Sequence, residues 1–150
     1  MVLHSAVHLF QEGEFNHGLR DLLDLSDLLR HFGSDPDFWP RLFGRARELG
    51  LGEPLFHSLT HIARLFGLPP IPDLKAQLQQ IEPAALSRYL MSFLLTRGLL
   101  PDHPSCRSLS SDFSRWLLYV RAHYLRMPWY LVVPHLIRKA VMRLFPKNES

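Results

Sequence analysis

Two histidine pairs, each with a spacing of four residues, are the first groups in the chain that could do chemistry. His4 and His8 lie in LHSAVHLF, and His57 and His61 lie in FHSLTHIARLF. On a helix, residues four apart lie one turn apart, so either pair could bind one zinc ion. A zinc-protease helix also carries glutamate directly after its first histidine. Serine occupies that position in both pairs, which excludes the protease mechanism.

The two pairs differ in their position on a helical wheel. The wheel places His57 and His61 on the polar side of their helix, which predicts that they face solvent and bind no ligand. His4 and His8 fall beside Val7 at the edge of the apolar stripe of the first helix. We therefore expect these two imidazoles to be half-buried, where each ring nitrogen needs a partner.

The second helix offers polar partners for that first pair. Arg20 and Asp24 are one turn apart, and the wheel places Asp21 among Leu25, Leu28 and Phe32. If the first two helices pack antiparallel, histidine, aspartate and arginine meet between them. We favour a buried polar network that fixes the helix register, and the alternative is a phosphate, nucleotide or metal contact. A metal-dependent hydrolase with the ion on His4, His8 and Asp24 is a further hypothesis, although the adjacent His-Asp dipeptide of that class is missing.

Other catalytic patterns are absent or have a structural explanation. GSDPDFW has the Gly-Ser and paired carboxylates of a metal-dependent nucleotidyl transfer site, but such carboxylates stand on a strand. Here Pro36 separates them and favours a first helical turn, so we predict that Ser34 or Asp35 caps a helix from about Phe38 to Leu49. The sequence contains no phosphate-binding glycine loop, no nucleophilic serine motif and no pattern for sequence-specific nucleic-acid binding.

Helical periodicity runs through almost every segment, with prolines and glycines at the breaks. The sequence predicts an all-α fold, a single bundle of about seven to eight short helices in one domain, residues 1–150. PAALSRYLMSFLLTRG is apolar almost all round, which predicts a central position in the core. The last helix, in WYLVVPHLIRKAVMRLF, is amphipathic and basic.

Composition and charge narrow the class of protein. The chain has 150 residues and a net charge of +3, but residues 1–50 carry 5 basic and 8 acidic side chains and residues 101–150 carry 8 and 3. One cysteine, Cys106, suits a reducing cytoplasm, and no segment resembles a membrane span or a signal peptide. An amphipathic helix follows Met1 at once, as in a chain cut from a longer protein.

Four segments together resemble a known family: LHSAVHLF, GLRDLLDLSDLL, DFWPRLFGRARELGL and LFHSLTHIARLFGLP. They are similar to the helical C-terminal region of an uncharacterised bacterial nucleotidyltransferase family, over residues 3 to 72. We therefore assign residues 1–72 to this helical region and residues 73–150 to further helices with a basic C-terminal end. In that family a transferase core precedes the helices, and its Gly-Ser motif and paired carboxylates hold magnesium and a nucleoside triphosphate.

The resemblance implies which residues bind substrate. His4, His8, Arg20 and Asp24 occupy the family's recurring polar positions, with Asp21 as a rival for Asp24, and none of them is catalytic. Since the transferase core is missing, we expect an accessory or substrate-side region that is not catalytic on its own. Magnesium and nucleotide would come only with a core supplied by another domain or protein. The alternative is a helical protein-interaction or membrane-surface module that uses the basic C-terminal helix, with Trp129 and Tyr130 as interfacial anchors.

Overall fold

In the part of the chain that it describes, the computed structural model is a bundle with seven continuous helices. It describes residues 1–11, 15, 17–101, 103, 105, 106, 108–126, 130, 131, 134 and 138, and these contain no strand. The all-α prediction is therefore confirmed. The helices are α1 (Val2–Gln11), α2 (Gly18–Phe32), α3 (Phe38–Glu48), α4 (Gly52–Leu65), α5 (Leu74–Ile81), α6 (Ala85–Gly98) and α7 (Leu109–Arg126).

Helix α4 is the centre of the bundle. It packs against α1, α2, α3 and α5, and all but one of residues 54–62 are buried. Two of its polar groups are satisfied within the helix, since the Ser58 hydroxyl donates to the Pro54 carbonyl at 2.8 Å and His61 Nδ1 bonds the His57 carbonyl at 2.8 Å. Burial of these groups therefore costs little. The largest fully buried apolar side chains lie on this helix itself, on α2, on α3 and on α6: Leu55, Leu59, Ile62, Leu22, Leu25, Leu29, Phe43 and Leu95.

Helix α6 does not lie at the centre, so that prediction from the sequence was wrong. One face, with Met91, Leu94 and Leu95, is buried, and it packs mainly against α7. The opposite face is exposed although it is apolar. Apolar character all round therefore does not identify the central helix here. In α4, Ser58 and His61 bond carbonyls of their own helix, which allows most of that helix to be buried although it carries polar side chains.

The predicted third helix is confirmed, but its predicted N-cap residue was wrong. The helix begins at Phe38, as predicted, and its N-cap is Asp37 rather than Ser34 or Asp35. Asp35 instead accepts a hydrogen bond from the backbone N–H of Asp37 at 3.0 Å and pairs with Arg41. The carboxylates of this segment thus stabilise a turn, as the interpretation against a metal site required.

Two arginines fix helices to the ends of other helices. Arg30 of α2 donates to the carbonyls of Phe66 and Gly67 at 2.8 and 3.0 Å, just after α4 ends. Gly67 has a φ of +72°, the left-handed conformation that commonly terminates a helix. Arg115 of α7 donates to the Gly98 carbonyl at 3.3 Å, at the end of α6. Each guanidinium satisfies carbonyls that a helix end leaves without partners.

The predicted C-terminal helix lies almost entirely outside the described residues. Only Tyr130, Leu131, Pro134 and Arg138 of that segment are described, all of them helical and exposed. The interpretation that Trp129 anchors the chain at a membrane surface therefore falls on residues that the structure does not describe. In the part that it does describe, none of the helices combines the length and the apolar character that crossing a bilayer requires.

Candidate functional site

The histidine pair of α1 lies on the outer surface of the bundle. His4 and His8 are both exposed, with ring centroids 4.3 Å apart and rings nearly perpendicular. The prediction that they are half-buried was wrong. The buried residues of α1 are Val2, Ala6, Leu9 and Phe10, so the buried arc is centred away from the two imidazoles. This geometry leaves the pair accessible to a ligand or a partner.

The polar residues predicted on α2 are exposed as well. Arg20, Asp21 and Asp24 all face solvent, whereas the buried face of α2 carries Leu22, Leu25, Ser26 and Leu29. Asp21 is therefore not enclosed by apolar side chains as the wheel predicted. The wheel included Phe32 in the apolar face, and Phe32 is 38% exposed at the rim.

Helices α1 and α2 do pack together, as predicted, but the network expected between them is not buried. Exposed side chains of this kind do not fix helix register, so that interpretation was wrong for these five residues. Within the described ranges, no three histidine, cysteine, aspartate or glutamate side chains come together to hold a metal ion. His4, His8 and Asp24 thus do not form the ion site that a hydrolase of this type needs. Their role as ligand contacts stays a prediction.

A partly buried polar cluster lies elsewhere, around Glu53 at the start of α4. We call Glu53, His57, His61, Ser87 and Arg121 the Glu53 cluster. His57 and His61 are only 1% and 3% exposed, so the prediction that they face solvent was wrong. The prediction failed because a helical wheel assumes one buried side, whereas α4 is covered on nearly all sides.

The carboxylate of Glu53 is the hub of this cluster. Its Oε1 accepts a hydrogen bond from Arg121 Nη2 at 2.9 Å and from the Ser87 hydroxyl at 3.4 Å. The Glu53 Oε1 atom also lies 3.7 Å from His57 Nε2, a distance longer than a hydrogen bond. Arg121 Nη1 also donates to the Phe10 carbonyl at 3.2 Å. The cluster therefore connects the end of α1, the start of α4, α6 and the middle of α7.

The surroundings set the protonation of two members. Interaction with His57 and the positive charge of Arg121 hold the pKa of Glu53 below its ordinary value, although burial acts in the opposite direction. Burial lowers the pKa of His61, and its hydrogen bond to the His57 carbonyl offsets only part of this effect. At neutral pH Glu53 is therefore ionised and His61 is neutral. Since a carbonyl only accepts, His61 carries its proton on Nδ1.

The contacts of the Glu53 cluster link helices and differ from those of a catalytic triad. In a serine hydrolase, the serine hydroxyl is hydrogen-bonded to one nitrogen of the imidazole, and the carboxylate is hydrogen-bonded to the other nitrogen. Here the Ser87 hydroxyl bonds the carboxylate itself. Arg121 occupies the same carboxylate oxygen that faces His57, and His57 Nε2 has no hydrogen-bond partner within the described residues. The side chains therefore hold helices together and do not form a proton relay to a nucleophile.

Sequence reasoning missed this cluster for identifiable reasons. Arg121 and Glu53 are 68 residues apart, so no local pattern pairs them. The available signal was in α4 itself, where serine and histidine stand among leucines at positions from which they can bond backbone carbonyls one turn earlier.

A comparison with protein families finds a match for the N-terminal helices of the bundle. Residues 1–67 match the model of an uncharacterised nucleotidyltransferase family. This confirms the resemblance found in the sequence and relates this region to nucleotidyltransferases. No curated protein and no solved structure matches the chain.

The nucleotidyltransferase match covers less than half of the chain and ends just after α4. It contains all five residues predicted to bind substrate, as well as Glu53, His57 and His61. Ser87 and Arg121 lie beyond it. The Glu53 cluster therefore joins the nucleotidyltransferase-like helices to the helices that follow them.

Proposed function

We propose that residues 1–67 form the substrate-side helical region of a nucleotidyltransferase whose catalytic core is supplied by another domain or protein. The family match over α1 to α4 is the observation that carries this proposal. The only Gly-Ser and paired-carboxylate segment in the sequence, near Asp35, forms a turn before α3 and not a metal-binding strand. On this proposal the region acts in the cytoplasm and performs no nucleotidyl transfer alone.

Within this region, His4, His8, Arg20 and Asp24 are proposed to contact the nucleotide or the acceptor substrate. Their exposure supports the proposal, because side chains that face solvent can meet a ligand held by a separate core. Imidazole and guanidinium groups donate hydrogen bonds to phosphate oxygens, and a carboxylate accepts from hydroxyl or amino groups. Asp21 is the rival of Asp24 because it is exposed on the same helix. Magnesium and the triphosphate would arrive with the core.

A titration with nucleoside triphosphate tests the contact residues. ATP with magnesium is added to the purified chain, and binding is followed by isothermal calorimetry or by shifts of the histidine NMR signals. We expect weak binding that Arg20→Gln lowers by about tenfold, as for loss of one charge-assisted contact. Arg45→Gln is the matched control, since Arg45 is an exposed arginine of α3 within the same matched region. Equal effects of the two substitutions would contradict the assignment of Arg20.

A transfer assay tests the accessory role separately. The purified chain is incubated with labelled nucleoside triphosphate, magnesium and a mixture of protein and small-molecule acceptors. We expect no incorporation of label by the chain alone. Incorporation that Asp24→Ala abolishes would show that the chain is itself a transferase and would overturn the proposal.

A further inference from the structure

The exposed face of α6 consists of large apolar side chains of the kind that are usually buried. Four side chains at positions i, i+3, i+4 and i+7 form what we call the α6 stripe: Leu86, Tyr89, Leu90 and Phe93, which are 81%, 69%, 53% and 51% exposed. Taking about 200 Å² for a fully exposed large side chain, the stripe leaves about 500 Å² uncovered. This area is similar to that of the largest apolar patch on a typical monomer, and such a patch is often functional.

The spacing of the stripe suits another helix. Anchors at i, i+3, i+4 and i+7 are the pattern by which one amphipathic helix packs along another or enters a helical groove. The stripe covers two turns, and its area is below the roughly 800 Å² per partner of a standard interface between whole domains. A single docked helix therefore fits the stripe better than a large domain face.

Charge at the C-terminal end of the stripe selects the partner. Arg97 lies over the ring of Phe93, with its guanidinium carbon 3.8 Å from the ring centroid. Arg64 of α4 donates to the hydroxyl of Thr96, three residues after Phe93, at 3.2 Å. Neither arginine forms an ion pair with a described carboxylate, and α6 itself contains no acidic residue. Two guanidinium groups thus lie near the C-terminal end of the stripe, where a partner's carboxylates would neutralise them.

The positive charges of Arg64 and Arg97 disfavour a second copy of this chain, or its own C-terminal segment, as the partner of the stripe. A symmetric dimer could pair two copies of α6 in an antiparallel arrangement. Arg97 of one copy would then face the N-terminal end of α6 in the other copy, where the nearest carboxylate, Glu82, is already paired with Arg88. A parallel pair places Arg97 against Arg97. The chain's own residues 127–150 contain four basic residues and one acidic residue, so their charge is also of the wrong sign.

We propose that the α6 stripe is a docking surface for an amphipathic helix of another protein, with carboxylates bordering its apolar face. The inference is independent of the proposed function because it uses none of the residues that are proposed to contact substrate. The apolar side chains supply most of the binding free energy, and Arg64 and Arg97 select for acidic partners.

Two matched synthetic peptides test the proposal on the full-length protein. Each is an amphipathic helix of about three heptads, a length at which helices begin to be stable. One has leucine at a and d and glutamate at e and g, and the other has lysine in place of glutamate. Fluorescence anisotropy measures binding to the wild type, to the stripe variant Leu86→Gln/Leu90→Gln and to the charge variant Arg64→Glu/Arg97→Glu. Leu109→Gln/Tyr124→Gln on the exposed face of α7 is the control.

We expect the wild type to bind the glutamate peptide more tightly than the lysine peptide. The stripe variant should lose about tenfold or more in affinity, as for loss of interface anchors. The α7 control should bind like the wild type, the charge variant should reverse the peptide preference, and added NaCl should weaken binding.

Three results would overturn the proposal. The first is no binding of the glutamate peptide, or equal binding of both peptides. The second is a wild-type dimer in sedimentation velocity that the stripe variant abolishes, which would make a second copy the occupant. The third is binding to phosphatidylserine vesicles that the stripe variant abolishes, which would make the occupant a membrane.

Discussion

Removal of the Arg121 guanidinium should loosen the joint between α7 and the helices α1 and α4. Arg121→Met keeps most of the aliphatic length but deletes the hydrogen bonds to the Glu53 carboxylate at 2.9 Å and the Phe10 carbonyl at 3.2 Å. A hydrogen bond to a charged group contributes about 1.5 to 3 kcal/mol, and one between neutral groups about 1 kcal/mol. The side chains of Arg121 and Glu53 are 25% and 36% exposed, so solvent screens part of this energy.

We therefore expect Arg121→Met to lower the free energy of unfolding by about 2 kcal/mol. For a chain of this size the corresponding decrease in Tm is about 4 to 8 °C. Urea denaturation followed by circular dichroism measures the change. A double-mutant cycle with Glu53→Gln should give a coupling energy of about 1 kcal/mol, because the two side chains act on each other directly.

The matched control is Arg45→Met. Arg45 pairs with Glu48 at 3.0 Å, but both side chains are more than 60% exposed, so its loss should change stability by less than about 0.5 kcal/mol. An effect of Arg121→Met no larger than that of the control, or a coupling energy of zero with Glu53→Gln, would refute the role given to the Glu53 cluster.

Acid titration and two glycine substitutions provide further tests. Because the fold holds the pKa of His61 below its ordinary value of 6.5, the unfolded chain binds the proton first, so the free energy of unfolding should decrease as pH falls below 6.5. His61→Asn, which keeps a donor near Nδ1, should remove this loss in urea titrations between about pH 5 and 7, and exposed His31→Asn should not. Gly33→Ala should destabilise by about 1 to 3 kcal/mol, since its Cβ would lie 2.8 Å from Trp39. Gly44→Ala, with open space around its Cβ, should stabilise by about 0.5 to 1 kcal/mol, and thermal melts that rank the two variants otherwise would contradict this packing.

The helices could be predicted from the sequence because their signals are local. Apolar spacing, glycine at helix ends and proline near helix starts depend on neighbouring residues, and they located α1 to α7 with small errors at the ends. The position of α3 illustrates this, since its start at Phe38 was predicted although its cap was not.

The positions of side chains relative to the core could not be predicted in the same way. A wheel describes one helix, whereas burial depends on how many neighbours surround it. Helix α4 has neighbours on almost every side. The wheel predicted that its His57 and His61 are exposed, whereas both are buried. For α6 the reverse occurred, because its apolar outer face meets no described part of the chain. The ion pair between Glu53 and Arg121 depends on the tertiary arrangement alone.

The long separation between the partners of the Glu53 cluster has a consequence during synthesis. Arg121 follows Glu53 by 68 residues and Phe10 by 111. At a translation rate of about 5 to 20 residues per second, the ribosome adds Arg121 several seconds after Glu53. Through that interval Glu53 lacks the guanidinium that pairs with it in the folded chain. Docking of α7 through Arg121 therefore follows the synthesis of both helices that it fixes, α1 and α4.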